Sequence, residues 1–181
     1  MNIPNLFTLL RIILVPIVVI FLIQGSFVKA LGAFVAAALT DALDGFLART
    51  LGQQTALGAY LDPIADKALL ASSFVTLSVL SIIPGWLTVI VISRDIIILL
   101  GILVLTMLSI EVKIRPTVVS KITTAVQLVT VLMVLSDRCF PAYVHQAWLI
   151  ALYGVTALFT VVSGLDYMIR GQKLINHDAK K

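Results

Sequence analysis

The run DALDGFLARTLGQQTALGAYLDPIAD, residues 41–66, decides how this chain is read. It carries four aspartates, Asp41, Asp44, Asp62 and Asp66, in 26 residues of an otherwise apolar sequence. A carboxylate in or near a membrane is costly and marks a functional position by default. Residues three or four apart share a helix face, so Asp41 pairs with Asp44 and Asp62 with Asp66. If the two helices are antiparallel neighbours, the pairs converge. Four converging carboxylates cannot all stay ionised without cations. Oxygen-only ligands suit Mg²⁺, Mn²⁺ or Ca²⁺, whereas Zn²⁺ prefers histidine or cysteine. Both histidines, His145 and His177, fall far from the run.

Composition supplies the setting. The 181 residues are 60% hydrophobic and only 12% charged, with a mean hydropathy of +1.11. These values lie outside the range of a soluble globular domain and predict an all-α, polytopic membrane protein. A crossing needs roughly 20 apolar residues. The expected spans are 5–24, 28–47, 62–82, 85–108, 117–136 and 146–169, six transmembrane helices forming a single domain over residues 1–181. A lone cysteine, Cys139, excludes a disulfide framework and a thiolate metal cluster. The apolar start has no basic leader or small-residue cleavage pattern, so it reads as a retained first helix.

Charge orients the spans. With their ends numbered alternately, Arg11, Arg49, Lys67, Lys113, Arg115, Lys121, Arg170, Lys173, Lys180 and Lys181 share the side of the termini. Lys29 and Arg138 alone fall on the other side, and Arg94 lies within a span. The positive-inside rule places the crowded side, and with it the aspartates, at the cytoplasmic face. Turn signals separate the spans at Gln24-Gly25-Ser26, Ile83-Pro84-Gly85, Arg115-Pro116-Thr117 and Phe140-Pro141. Asp62-Pro63 predicts a helix start, with aspartate as the N-cap and proline in the first position.

Small residues flank the carboxylates. Gly45, Ala48 and Gly58 admit a ligand or a neighbouring helix close to the backbone, and Arg49 adds a fixed cation for an anionic phosphate. Taken singly, each residue has an ordinary reading as cap, packing residue or snorkelling cation. The full set at these spacings does not. It resembles the signature of the CDP-alcohol phosphotransferase family, D-x2-D-G-x2-A-R-x8-G-x3-D-x3-D, with every spacing intact. The opening Asn5-Leu-Phe-Thr8-Leu-Leu-Arg11 is similar to that of members making phosphatidylglycerol and cardiolipin.

The resemblance implies transfer of a phosphatidyl group from a CDP-linked donor to an alcohol, with release of CMP. It assigns Asp41, Asp44, Asp62 and Asp66 to one or two divalent cations, Mg²⁺ or Mn²⁺. Asp41, Gly45, Ala48, Arg49 and Gly58 would bind the cytidine diphosphate. Asp66 would be the catalytic base that takes the acceptor's hydroxyl proton. The implied partners are CDP-diacylglycerol, glycerol 3-phosphate or phosphatidylglycerol, the lipid bilayer and a second copy of the chain. Nucleic acid is not among them. The implied setting is a bacterial inner membrane with the site facing the cytoplasm.

Acceptor choice turns on other residues. Arg94, within a span, needs a partner such as Asp95 or a substrate phosphate. Arg94, Arg115 and Lys121 together suit an anionic acceptor. Phosphatidylglycerophosphate synthases look similar over the whole length, including Phe159 to Tyr167, but often carry a further arginine and lysine where this chain has Leu100-Gly101 and Thr123. Ser93-Arg94-Asp95 and Pro116 to Lys121 look like the CDP-alcohol type of cardiolipin synthase, which uses phosphatidylglycerol. Glycerol 3-phosphate is the first expectation and phosphatidylglycerol the alternative. A membrane cation channel or transporter would use the carboxylates but leave the glycine, alanine and arginine spacing unexplained.

Overall fold

The computed structural model describes the backbone of residues 3–51, 56–107, 117–140 and 146–178. It describes side-chain surroundings for 9–40, 65, 67–101, 104, 107, 117–140 and 146–172. Among the described residues the chain is all-helical, with no strand: α1 (Ile3–Ile23), α2 (Phe27–Leu51), α3 (Ala56–Val79), α4 (Gly85–Met107), α5 (Val118–Cys139) and α6 (Gln146–Asp178). Two stretches, Val118–Cys139 and Gln146–Gln172, are long and apolar enough to cross a membrane. Leu9–Ile23, Phe27–Thr40 and Lys67–Val79 are shorter apolar stretches. The six helices follow the expected order, and among the described residues two of them are long and apolar enough to cross.

Two helix ends are built alike. After α1, Gly25 adopts φ 69°. Its N–H bonds the Leu22 carbonyl at 3.0 Å and the Ser26 N–H bonds Phe21 at 2.9 Å. This is the Schellman arrangement, which satisfies carbonyls that a helix end leaves open. After α3 the same pair recurs: Ser81 N–H to Ser78 at 2.9 Å and Ile82 N–H to Leu77 at 2.9 Å. Here the left-handed residue is Ser81, at φ 58°, where a Cβ crowds the following carbonyl. Ser81→Gly is therefore expected to stabilise the protein by about 1 kcal/mol, read as a later thermal unfolding transition in detergent. An earlier transition would mean that the serine side chain stabilises the turn by more than the strain costs.

The start of α3 departs from expectation. The helix begins at Ala56, so Asp62 is no N-cap and Pro63 lies inside it. Proline lacks the N–H that would bond the carbonyl of Ala59. Extending the helix backwards pairs the carbonyls of Ala56, Leu57 and Gly58, so only one ladder bond is lost. At the α5 start the expectation holds. Thr117 caps it, accepting the Ser120 N–H on Oγ1 at 3.1 Å and the Lys121 N–H on its carbonyl at 3.1 Å.

The chain divides into two compact units. One comprises Met1–Ile83 with Val131–His145, the other Pro84–Thr130 with Gln146–Lys181. In the first, α1 packs against both α2 and α3. The buried face of α2 is Ala30, Phe34 and Ala37, one stripe at helical spacing, and α1 contributes Val18 and Leu22. On α3, the buried Ser73 hydroxyl bonds the Leu69 carbonyl at 2.7 Å, which makes its burial inexpensive.

In the second unit α4 packs on α6, and α5 meets α6 along a polar seam. Thr123 Oγ1 is 3.0 Å from the Phe159 carbonyl. Gln127 Nε2 donates to Thr160 Oγ1 at 3.2 Å, and Thr130 and Thr156 share a hydrogen bond of 2.7 Å. Large apolar side chains face outward in both units, among them Ile13 at 57%, Leu39 at 57%, Leu99 at 63% and Leu158 at 63% exposure. Polar seam inside and apolar surface outside is the inversion expected of helices in lipid, where packing and interhelical hydrogen bonds replace the hydrophobic drive.

Candidate active site

The carboxylates lie on two helices of one unit. Asp41 and Asp44 fall in the last three turns of α2, followed by Gly45, Ala48 and Arg49. Gly58 opens α3, and Asp62 and Asp66 follow in its next turns. The helical state of both segments makes the three- and four-residue spacings face-sharing ones, as the sequence predicts. Both α2 and α3 pack on α1, so the two helices that carry the aspartate pairs share a neighbour. The side chains of Asp41, Asp44, Gly45, Ala48, Arg49, Gly58, Asp62 and Asp66 lie outside the described residues. So does Arg115.

The chemistry of this donor set fits a hard divalent cation: four carboxylates, no sulfur and no imidazole, on two helices that share a neighbour. Among the described residues no three His, Cys, Asp or Glu side chains come together. On its donor chemistry the aspartate run is the candidate metal site. Ala65, beside Asp66, is 2% exposed, so α3 is turned inward at this point. Arg11, on α1, is fully buried in the same unit. The sequence treats it as a motif residue and a cytoplasmic-side charge. Its place well inside an apolar helix, rather than at its end, was the available signal of burial.

Arg94 is the best-defined polar centre. It is 3% exposed and held by three helices. Nη1 donates to Asp95 Oδ1 at 2.7 Å. Nη2 donates to Ser120 Oγ at 2.6 Å and to Ser163 Oγ at 2.7 Å, and Nε reaches the same Ser163 oxygen at 3.2 Å. The guanidinium carbon also lies 5.9 Å from the Tyr167 ring centroid, within cation–π range. Gly164 faces the Arg94 stem, and a Cβ there would make an ordinary van der Waals contact with Arg94 Cγ at 3.6 Å.

This geometry joins Arg94 to the residue preceding Lys121, which is itself exposed in the first turn of α5. Ser120 and Ser163 were given no role by the sequence. The signal for them was periodicity: Ser120, Thr123, Gln127 and Thr130 on α5, and Thr156, Thr160 and Ser163 on α6, recur every three or four residues. Thr123 is fully buried and bonded across to α6, so its position faces the protein interior.

A family model for CDP-alcohol phosphatidyltransferase matches residues 1–162. The chain is similar to the CMP-forming cardiolipin synthase of Rattus norvegicus, 34% identical over 96% of this chain and 63% of that protein. It is also similar to a probable phosphatidylglycerophosphate synthase of Mycobacterium tuberculosis, 35% identical over 93% of this chain and 81% of the relative. A third relative is the CDP-diacylglycerol–glycerol-3-phosphate 3-phosphatidyltransferase of Aquifex aeolicus. It is 31% identical over 97% of this chain and 98% of its own length. The chain thus spans slightly less than two thirds of the rat synthase and nearly all of the Aquifex enzyme.

Proposed function

The chain belongs to the CDP-alcohol phosphatidyltransferase family, and on that premise we propose that it transfers the phosphatidyl group of CDP-diacylglycerol to glycerol 3-phosphate. The products are phosphatidylglycerophosphate and CMP. The observation that carries this reading is the eight-position signature on two helices of one unit, with four carboxylates as its only acidic groups. Similarity to phosphatidylglycerophosphate synthases over nearly the whole of this chain supports it.

In this mechanism Asp41, Asp44, Asp62 and Asp66 hold one or two divalent cations, Mg²⁺ or Mn²⁺. When bound, the metal neutralises charge on the pyrophosphate and on the departing CMP. Asp66 accepts the proton of the acceptor hydroxyl, because an alcohol is a poor nucleophile at neutral pH. The acceptor oxygen forms a bond to the phosphorus bearing the diacylglycerol. The bond from that phosphorus to the CMP oxygen breaks, and CMP leaves with the electron pair. Asp41, Gly45, Ala48, Arg49 and Gly58 bind the cytidine diphosphate, the small residues allowing close approach to the backbone.

Arg94, Arg115 and Lys121 bind the acceptor's phosphate. Arg94 is suited to this because its four hydrogen bonds leave one Nη1 N–H for a phosphate oxygen. Six crossings would place the chemistry at the cytoplasmic face of a bacterial inner membrane, with the acyl chains remaining in lipid. A second copy of the chain is the expected partner in the membrane.

The second reading is cardiolipin synthesis with phosphatidylglycerol as acceptor. Thr123 favours it: where many glycerophosphate enzymes carry another lysine, this chain has a threonine buried against α6. Purified protein given CDP-diacylglycerol, Mg²⁺ and either acceptor separates the two. Phosphatidylglycerophosphate formed only from glycerol 3-phosphate is the expected result. Cardiolipin formed only from phosphatidylglycerol would replace the first reading with the second.

A further inference from the structure

The first unit holds a second polar feature at the end away from the carboxylates. The α1–α2 turn, with Ser26 and Lys29, and the end of α5, with Arg138 and Cys139, line a cavity of ≈ 330 Å³. Along α2, at 1.5 Å per residue, Asp41 and Asp44 lie about 21 and 26 Å from the first residue, Phe27. That separation approaches the roughly 30 Å of a hydrocarbon core, so with α2 crossing the bilayer the cavity would lie at headgroup level opposite the aspartates.

Its charge is unusual for that face. Lys29 and Arg138 are the two cations that the span assignment leaves on the sparsely charged side, where positive residues are ordinarily depleted. Helices from distant parts of the sequence bring both to one cavity. Among the described residues neither is paired with a carboxylate. Asp137, next to Arg138, is half-buried and does not line the cavity. Lys29 Nζ lies 5.9 Å from the Phe21 ring centroid, a contact that steadies the ammonium beside the turn. Next to these cations, apolar side chains stand outward: Ile23 at 65%, Val28 at 67% and Phe140 at 54% exposure. Paired positive charge above exposed apolar surface matches an amphipathic anion, whereas a free phosphate would use only the charges.

We propose that this cavity binds the phosphodiester headgroup of an anionic glycerophospholipid in the leaflet opposite the aspartates. The assignment rests on the membrane reading of the chain and not on the choice of acceptor. Its test uses the full chain in nanodiscs of mixed phosphatidylglycerol and phosphatidylcholine, with the lipids retained after delipidation counted by native mass spectrometry. Wild type is expected to retain phosphatidylglycerol over phosphatidylcholine, and K29Q/R138Q to lose roughly tenfold of that preference. K29R/R138K keeps it. Lipid held at the aspartates is common to all variants and cancels. Thermal unfolding and CMP release of K29Q/R138Q are expected to match wild type, which separates loss of the site from loss of the fold. Equal retention by wild type and K29Q/R138Q would overturn the proposal. So would displacement of the lipid by millimolar inorganic phosphate, which would point to a simple phosphate site. Retention is read without turnover, so absence of CMP release in wild type would count against the transferase reading alone.

Discussion

Replacing Asp66 with asparagine is expected to lower CMP release by about 10²–10⁴-fold, the range for losing a general base, with the helical fold retained. Asparagine keeps the size of the side chain and removes both its negative charge and its capacity to take a proton. The loss should fall on kcat, because the base acts on the acceptor hydroxyl in the transition state. Asp41→Asn makes the informative comparison. A carboxylate that only holds metal is partly replaced by raising the Mg²⁺ concentration, whereas a missing base is not. Circular dichroism of Asp66→Asn should match wild type, since Asp66 lies within an established turn of α3 and not at its cap. Undiminished turnover in this variant would remove Asp66 as the base.

The second large effect is on stability. Arg94→Met is expected to destabilise the protein by about 3–5 kcal/mol, the range for removing one partner of a buried pair. The change strips Asp95 of a cation 2.7 Å away and removes the donors that Ser120 and Ser163 accept from α4. Methionine fills much of the volume, so the loss reports charge and hydrogen bonding more than a cavity. Ser163→Ala should cost about 1–3 kcal/mol, because it leaves buried guanidinium N–H groups without an acceptor. Arg94→Lys should fall between, keeping the charge but not the fork. The readout is the midpoint of unfolding in mild detergent. An Arg94→Met protein as stable as wild type would mean that this network does not hold α4, α5 and α6 together.

These two residues mark the limits of what the sequence discloses. The helices were legible because long apolar runs broken by glycine, proline and polar pairs have one economical reading. Gln24-Gly25-Ser26, expected as a turn between spans, is a Schellman turn because its glycine is free to adopt positive φ. Asp62-Pro63 misled because its local preference for a helix start is real. Backbone pairing outweighed it, since beginning at Ala56 satisfies more carbonyls at the cost of one bond. The aspartate pairs were legible as spacings, and α2 and α3 supply the helical frame that gives those spacings meaning.

The seam between α5 and α6 is visible in the sequence only as a polar periodicity, without its partners. Thr123, Thr130, Thr156 and Thr160 each bond a carbonyl four residues back on their own helix. That local satisfaction makes a threonine inexpensive in an apolar helix and hides its second partner on a neighbouring one. Ser120 and Ser163 are inconspicuous in the sequence for a related reason. A serine has one hydroxyl and no charge, and only the buried guanidinium they meet shows what they do. The cavity near Lys29 and Arg138 required the fold outright, because 109 residues separate the two cations along the chain.

The most direct test of the central claim is CMP release by the purified full chain in mixed micelles with CDP-diacylglycerol, an alcohol acceptor and Mg²⁺. CMP is expected to form in step with phospholipid product, to be abolished by EDTA and to be restored by Mg²⁺ or Mn²⁺. A folded protein that releases no CMP with either glycerol 3-phosphate or phosphatidylglycerol, or one whose CMP release survives EDTA unchanged, would contradict it.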